Sequence, residues 1–145
     1  MHRLALGAFS RRAIMAMLLT ALALPIFAGF ANAEGSWSSY LSQVYPPFQS
    51  RTWYDDHLDA TSTSVYFGNC SDGGYAGSNV SAAVRLYREV PFWPAEDRGM
   101  TRLYCYIGAT GYYGEQPTAG NFHWTVEDVD GGYHVLNASS VQTDY

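Results

Sequence analysis

The sequence predicts an all-β fold: an antiparallel β-sandwich of about six to seven strands, preceded by a cleaved signal peptide and braced by one disulfide. A small β-barrel is the alternative. Three observations predict it. Several short runs alternate apolar and polar residues at period two. Stretches rich in Gly, Asn, Asp and Pro separate those runs, with no long helical window between them. Two cysteines, Cys70 and Cys105, bracket the central runs.

Residues 1–33 read as a secretory signal peptide. Arg3, Arg11 and Arg12, with no acid among them, precede the uncharged and mostly apolar stretch Ala13 to Leu24. Ala31-Asn32-Ala33 then places small residues where a signal peptidase cuts, so cleavage is expected before Glu34. The apolar run is too short for a permanent membrane anchor, and no cysteine lies at the cleavage region to carry a lipid. Ser10-Arg11-Arg12-Ala13-Ile14 resembles the twin-arginine export pattern, although the lysine that often follows is absent; general export is the other route. The expected location is therefore extracellular, for a secreted bacterial protein.

The expected mature chain, residues 34–145, has a length suited to one domain. It sets five arginines and no lysine against thirteen acids, a net charge of −8. That balance disfavours nucleic acid and anionic membranes as partners, and no membrane span is expected in it. In an oxidising compartment two cysteines are expected to pair. The loop that Cys70 and Cys105 enclose is long enough for a disulfide to contribute about 4 kcal/mol on the chain-entropy account.

In chain order, 34–48 reads as an N-terminal arm or short helix, because Trp37, Tyr40, Leu41 and Val44 stand at i, i+3, i+4 and i+7. The sandwich proper is expected over 49–145. Gln49 to Tyr54 reads as a short strand anchored by Trp53. Thr61 to Phe67 alternates Thr63, Val65 and Phe67 against Ser62, Ser64 and Tyr66, and Ser71 to Asn79 reads as a loop. Val80 to Glu89 is the clearest strand, with Val80, Ala82, Val84 and Leu86 on one face. Pro91-Phe92-Trp93-Pro94 interrupts pairing because proline lacks an amide donor, and 95–99 reads as a charged turn. Thr101, Leu103, Cys105 and Ile107 share the next face, followed by a glycine-rich connection over 108–120. Asn121 to Val129 and Tyr133 to Tyr145 read as a hairpin about Asp130-Gly131-Gly132, with an interruption at Asn137-Ala138-Ser139-Ser140.

Function is less legible than fold. The mature chain holds twelve Tyr, four Trp and four Phe, and many fall on expected loops or outer faces. Exposed rings of this kind anchor proteins or stack on glycans. The candidates are Phe92, Trp93, Tyr87, Tyr104, Tyr106, Tyr112 and Tyr113, with Tyr75 on a loop beside them. The leading expectation is thus a small non-enzymatic binding module, its aromatic-rich acidic surface meeting an extracellular protein or glycan. A second is an inhibitor or toxin-like effector acting through the Pro91–Pro94 loop, since flanking prolines reduce the entropy lost on docking. A third is a small secreted hydrolase.

No catalytic set is recognisable: there is no Gly-x-Ser-x-Gly elbow and no phosphate loop. No cofactor is expected. Asp55, Asp56 and Asp59 are a candidate calcium cluster, since calcium gathers carboxylate oxygens, although their spacing fits no complete calcium loop. His123 and His134 flank the expected hairpin, where zinc would need them close together. Three Asn-x-Ser sequons, at Asn69, Asn79 and Asn137, are expected to be unused in a bacterium. The exported protein should begin at Glu34 and weigh two hydrogens less than its dithiol form. An intact mass that retains residues 1–33, or both thiol hydrogens, would contradict export with oxidation.

Overall fold

The computed structural model describes residues 35–77 and 79–145; the expected signal peptide lies outside them. Nine strands run through the described residues: β1 Ser36–Val44, β2 Phe48–Gln49, β3 Trp53–Asp55, β4 Ser64–Asp72, β5 Ser81–Arg88, β6 Glu96–Leu103, β7 Ala109–Tyr112, β8 Gly120–Asp130 and β9 Leu136–Asp144. They form two sheets. Sheet A has the order β1-β9-β4-β7, and sheet B has β8, β5 and β6 in sequence with β2 and β3 on the outer edge of β8. All the pairings are antiparallel. The arrangement is the expected β-sandwich, not a closed barrel. Only β5 and β6 are both consecutive and paired. Apart from the β2–β3 step along one edge, every other connection crosses between the sheets.

The inner faces meet in one apolar layer. Val65 and Phe67 of β4, Val80 beside β5, Ala82, Val84 and Leu86 of β5, and Phe122, Trp124 and Val126 of β8 are buried as their alternation requires. Trp124 is the largest fully buried side chain. It stacks on Trp37 at 6.0 Å and meets Phe67 edge-on at 5.2 Å, so its two main ring partners come from sheet A. Its indole N–H donates to Thr143 Oγ1 at 3.1 Å, again across the gap. Trp53 adds contacts to Trp37, Phe122 and Tyr145. Such pairs contribute roughly 0.5–1.5 kcal/mol each beyond their buried area.

The cysteines are joined as expected. Cys70 on β4 and Cys105 just past β6 form a disulfide with Cα atoms 5.2 Å apart, and Cys70 N–H also donates to Cys105 O at 2.9 Å. The bond therefore links sheet A to the end of a sheet B strand. Asp72, two residues on, is fully buried. Its carboxylate accepts the N–H groups of Tyr133 and Val135, both at 2.6 Å, and so holds the β8–β9 crossover against the end of β4.

Several expectations need correction. Where an N-terminal arm or short helix was expected, Ser36–Val44 is an edge strand: β1 pairs with β9 along its length, with irregular register between Ser39 and Leu41 and between Leu41 and Val44. The bulge around Gln43, whose φ is 50°, shifts the inward face by one residue, so Trp37, Leu41 and Val44 imitate helical spacing. Strand β4 runs on through Cys70 to Asp72, where a loop was expected. Its inward face changes parity at Asn69 (φ 53°), from Val65 and Phe67 to Cys70 and Asp72. The charged segment Glu96–Gly99 belongs to β6 instead of a turn, and the glycine-rich connection contains β7. Ile107 lies outside the strand and is exposed.

The expected β8–β9 hairpin is absent. β8 pairs in sheet B and β9 in sheet A, and Asp130-Gly131-Gly132 turns the chain across the sandwich. β9 runs in register against β4 from Leu136 to Asp144, and against β1 it carries an extra residue between Ala138 and Val141, a bulge within the expected Asn137 to Ser140 stretch; a second, on β1, lies between Leu41 and Val44. Reducing Cys70–Cys105 should remove about 4 kcal/mol, which for a domain of this size lowers Tm by about 15–20 °C. Calorimetric scans with and without reductant measure this, and a shift under about 5 °C would show that the link is energetically minor.

Candidate functional site

The β5–β6 hairpin carries the most exposed rings in the described chain. Its strands are tied by ion pairs from Arg85 to Asp97 and from Arg88 to Glu96 (3.2 Å). Glu89 N–H then donates to Asn121 O, docking the base of the connection on β8. Beyond it, Trp93 N–H donates to Val90 O at 3.1 Å, closing a four-residue turn with Pro91 second and Phe92 third. Proline at the second position and a positive φ at the third are the marks of a type II turn, whose third position favours Gly or Asn. Phe92 stands there with φ 67°. Its side chain is fully exposed, and Trp93 beside it is 76% exposed. The two rings project from the end of the sandwich remote from the disulfide, since β6 runs from this turn to Cys105.

The other aromatic candidates separate into two groups. Tyr104, Tyr106, Tyr112 and Tyr75 are exposed. Tyr104 and Tyr106 flank Cys105 at the disulfide end, and Tyr112 closes β7 on the edge of sheet A. Tyr87 and Tyr113 are part-buried and hydrogen-bonded within the chain. Tyr87 stacks on His123 at 5.4 Å and donates its hydroxyl to Glu127 Oε1 at 2.8 Å. Desolvation first, then that hydrogen bond, raise its pKa. Tyr113 packs on the core and donates to Val84 O at 2.9 Å, and burial pushes its phenol well above the usual range.

The outer face of sheet B is a charged ladder. Arg102 reaches Asp128 at 2.8 Å and Asp130 at 3.2 Å, and Arg85 lies 3.7 Å from Glu127 besides its pair with Asp97. The hydrogen bond from Arg102 holds the Asp128 carboxyl below its ordinary pKa. These pairs match Arg85, Arg88 and Arg102 to acids of β6 and β8, while Arg98 donates to Gln116 Oε1 at 3.0 Å.

Two of the candidate calcium carboxylates bond to backbone two residues on. Asp55 Oδ1 accepts His57 N–H at 2.8 Å and Asp59 Oδ1 accepts Thr61 N–H at 2.6 Å, the side-chain-to-backbone bonds that shape such turns. Among the described residues no group of three His, Cys, Asp or Glu side chains is placed to hold a metal ion. Without the β8–β9 hairpin, His123 and His134 lie at opposite ends of β8: His123 pairs opposite Tyr87, and His134 Nδ1 lies 2.9 Å from Val129 O. Near His123, Thr52 donates to Glu89 Oε1 at 2.9 Å, and the same oxygen lies 3.4 Å from His123 Nδ1. The order is hydroxyl, carboxylate, imidazole, so the imidazole is not placed to take the hydroxyl proton as a nucleophile's base must. No helix among the described residues is long and apolar enough to cross a membrane.

One feature escaped the sequence reading. Between edge strands β1 and β2 the sandwich opens into a cleft of about 160 Å³ reaching Trp37, Leu41, Phe48 and Trp124. Arg51 caps it, its guanidinium carbon 4.5 Å from the centre of the Trp37 ring. Ser39 sits among inward-facing residues there, too small to fill the seam. Only the β1 pairing reveals it, because a helix would have turned these side chains elsewhere.

Tyr113 also sets a pH limit. Its folded pKa lies above the unfolded value near 10, so the stability it confers is intact below about pH 10 and falls as pH rises beyond it. An ultraviolet titration should leave one tyrosine un-ionised until the chain unfolds, and Tyr113→Phe should abolish that delayed step. Ionisation of every tyrosine with the fold intact would contradict this placement. Compared with known families and curated proteins, the chain matches no family model and no curated sequence.

Proposed function

We propose that this chain is a small secreted binding module, non-enzymatic, that docks on an extracellular protein by seating Phe92 and Trp93 in an apolar pocket of its partner. Of the expected readings, contact with a protein or glycan and inhibitor-like action through the Pro91–Pro94 loop, this one joins the first to the element named in the second. The observation that carries it is Phe92. A phenylalanine in left-handed backbone costs about 1–3 kcal/mol, and this one recovers none of that by burial because its ring is wholly in solvent. Stability alone therefore disfavours Phe92 at this position, and a docking role accounts for it.

The surroundings suit that role. Pro91 and Pro94 restrict the turn before contact, so less freedom is lost on binding. Tryptophan is the side chain most often found at the energetic centre of an interface. Glu96 and Asp97 follow the tip already paired with Arg88 and Arg85, so an apolar pocket meets the two rings without having to match an unpaired charge there. The hairpin that carries the turn is tied by ion pairs and packed on β8, which presents the two rings from a fixed base.

Phe92→Gly tests the reading because it separates stability from binding. Glycine relieves the positive φ, so Tm should hold or rise by a few degrees, and Trp93→Ala should leave Tm within about 2 °C. Partners captured by the wild-type protein from culture medium and cell envelope should be lost with either variant. Capture that survives both substitutions, or unfolding caused by Trp93→Ala, would remove the tip as the docking element.

A further inference from the structure

Charge is divided unequally between the two sheets. The strands of sheet A contain no arginine, lysine or histidine, and only two acids, Asp72 and Asp144. Asp72 points inward and is spent on the β8–β9 crossover. The outer face of sheet A therefore presents one carboxylate, while sheet B carries the ladder of arginines and acids described above.

That face is an ordered array of hydroxyls, amide and rings. The registers align Ser38, Gln142, Tyr66 and Thr110 in one cross-strand row, and Asp144 and Tyr112 in the next. The row is hydrogen-bonded along the surface: Ser38 donates to Gln142 Oε1, and Gln142 Nε2 donates to Asp144 Oδ1 at 2.8 Å. The lone carboxylate is thus engaged by neutral groups.

Tyr66 is laid along the sheet instead of standing off it. Its phenol end rests over Gly68 and Gly108; a β-carbon on either glycine would come within 2.6 Å of the hydroxyl oxygen. Those two positions have to be glycine for the ring to lie down. Tyr112 is a diagonal neighbour of Tyr66 through the Tyr66–Thr110 pair, a spacing of about 7–8 Å between backbones, and it is 70% exposed.

We propose that the outer face of sheet A is a second contact surface, independent of the Phe92–Trp93 tip, which binds a neutral glycan across Tyr66 and Tyr112. Ring faces accept the C–H faces of a sugar, while Thr110, Gln142 and Ser38 offer the uncharged donors and acceptors that match its hydroxyls. The absence of cations leaves no means of holding a sulfated or phosphorylated chain. A peptide or nucleic acid with formal charges finds no complement there either.

The test uses the purified, disulfide-bonded protein on an array of neutral cello-, xylo-, manno-, malto- and chito-oligosaccharides, with heparin as the charged probe. At least one neutral series should bind, with affinity changing less than twofold between 50 and 500 mM salt, roughly the insensitivity expected of uncharged contacts. Tyr112→Ala should weaken that binding at least tenfold, and Tyr66→Phe, which keeps the ring, should weaken it only a few-fold. Phe92→Gly should leave glycan binding unchanged, so that failure at the tip and failure at this face are read separately. No neutral series bound, preferential retention by heparin, or binding indifferent to Tyr112→Ala would each overturn the proposal.

Discussion

The packing of Trp124 against Trp37 and Phe67 is the contact on which the rest of this structure depends. It is where a sheet B strand meets β1 and β4 of sheet A, and it sets the separation of the two layers. Because nearly all connections cross the sandwich, few neighbouring strands are held together by a short turn. The layers must instead be held by what lies between them: the aromatic layer in the middle and the Cys70–Cys105 bond where β4 and β6 end. Asp72 complements both, since its carboxylate ties the β8–β9 crossover to the strand that carries Cys70.

A core braced in this way leaves two surfaces with different chemistry. Sheet B turns outward a ladder in which arginines are matched to acids, and its one hairpin lifts Phe92 and Trp93 clear of every buried surface. Sheet A turns outward hydroxyls, amide groups, one carboxylate and the tyrosines Tyr40, Tyr66 and Tyr112. Surface ion pairs of the sheet B kind contribute little to stability, generally under about 1 kcal/mol each. Their consequence is instead to occupy arginine and acid together at the base of the tip, so that its exposed rings define its character.

Much of the fold is legible in the residues themselves. The alternation in Val80, Ala82, Val84 and Leu86 and in Phe122, Trp124 and Val126 reports a half-buried strand wherever it is placed. Where the reading fails, a bulge or a partner is responsible. Trp37, Leu41 and Val44 suggest a helix because a bulge near Gln43 shifts strand periodicity by one residue. Asp130-Gly131-Gly132 has the chemistry of a tight turn and does turn the chain, but turn chemistry cannot specify which sheet the next strand joins. Glu96 to Gly99 looks like a solvated turn because β6 lies at a sheet edge, where charged strand residues meet water.

The candidate surfaces divide along the same line. The amino-acid order alone determined that the chain is made of strands, that two cysteines were available to pair across them, and that the chain is rich in aromatic rings. These are properties of local periodicity and composition. Only the tertiary structure decided which rings are spent and which are free: Tyr113 and Tyr87 are committed by hydrogen bonds to Val84 and Glu127, while Phe92, Trp93 and Tyr112 remain in solvent. The physical reason is that exposure belongs to pairs of distant residues. Whether a ring faces water depends on which strand lies beside its own, and that is settled by long-range pairing and burial.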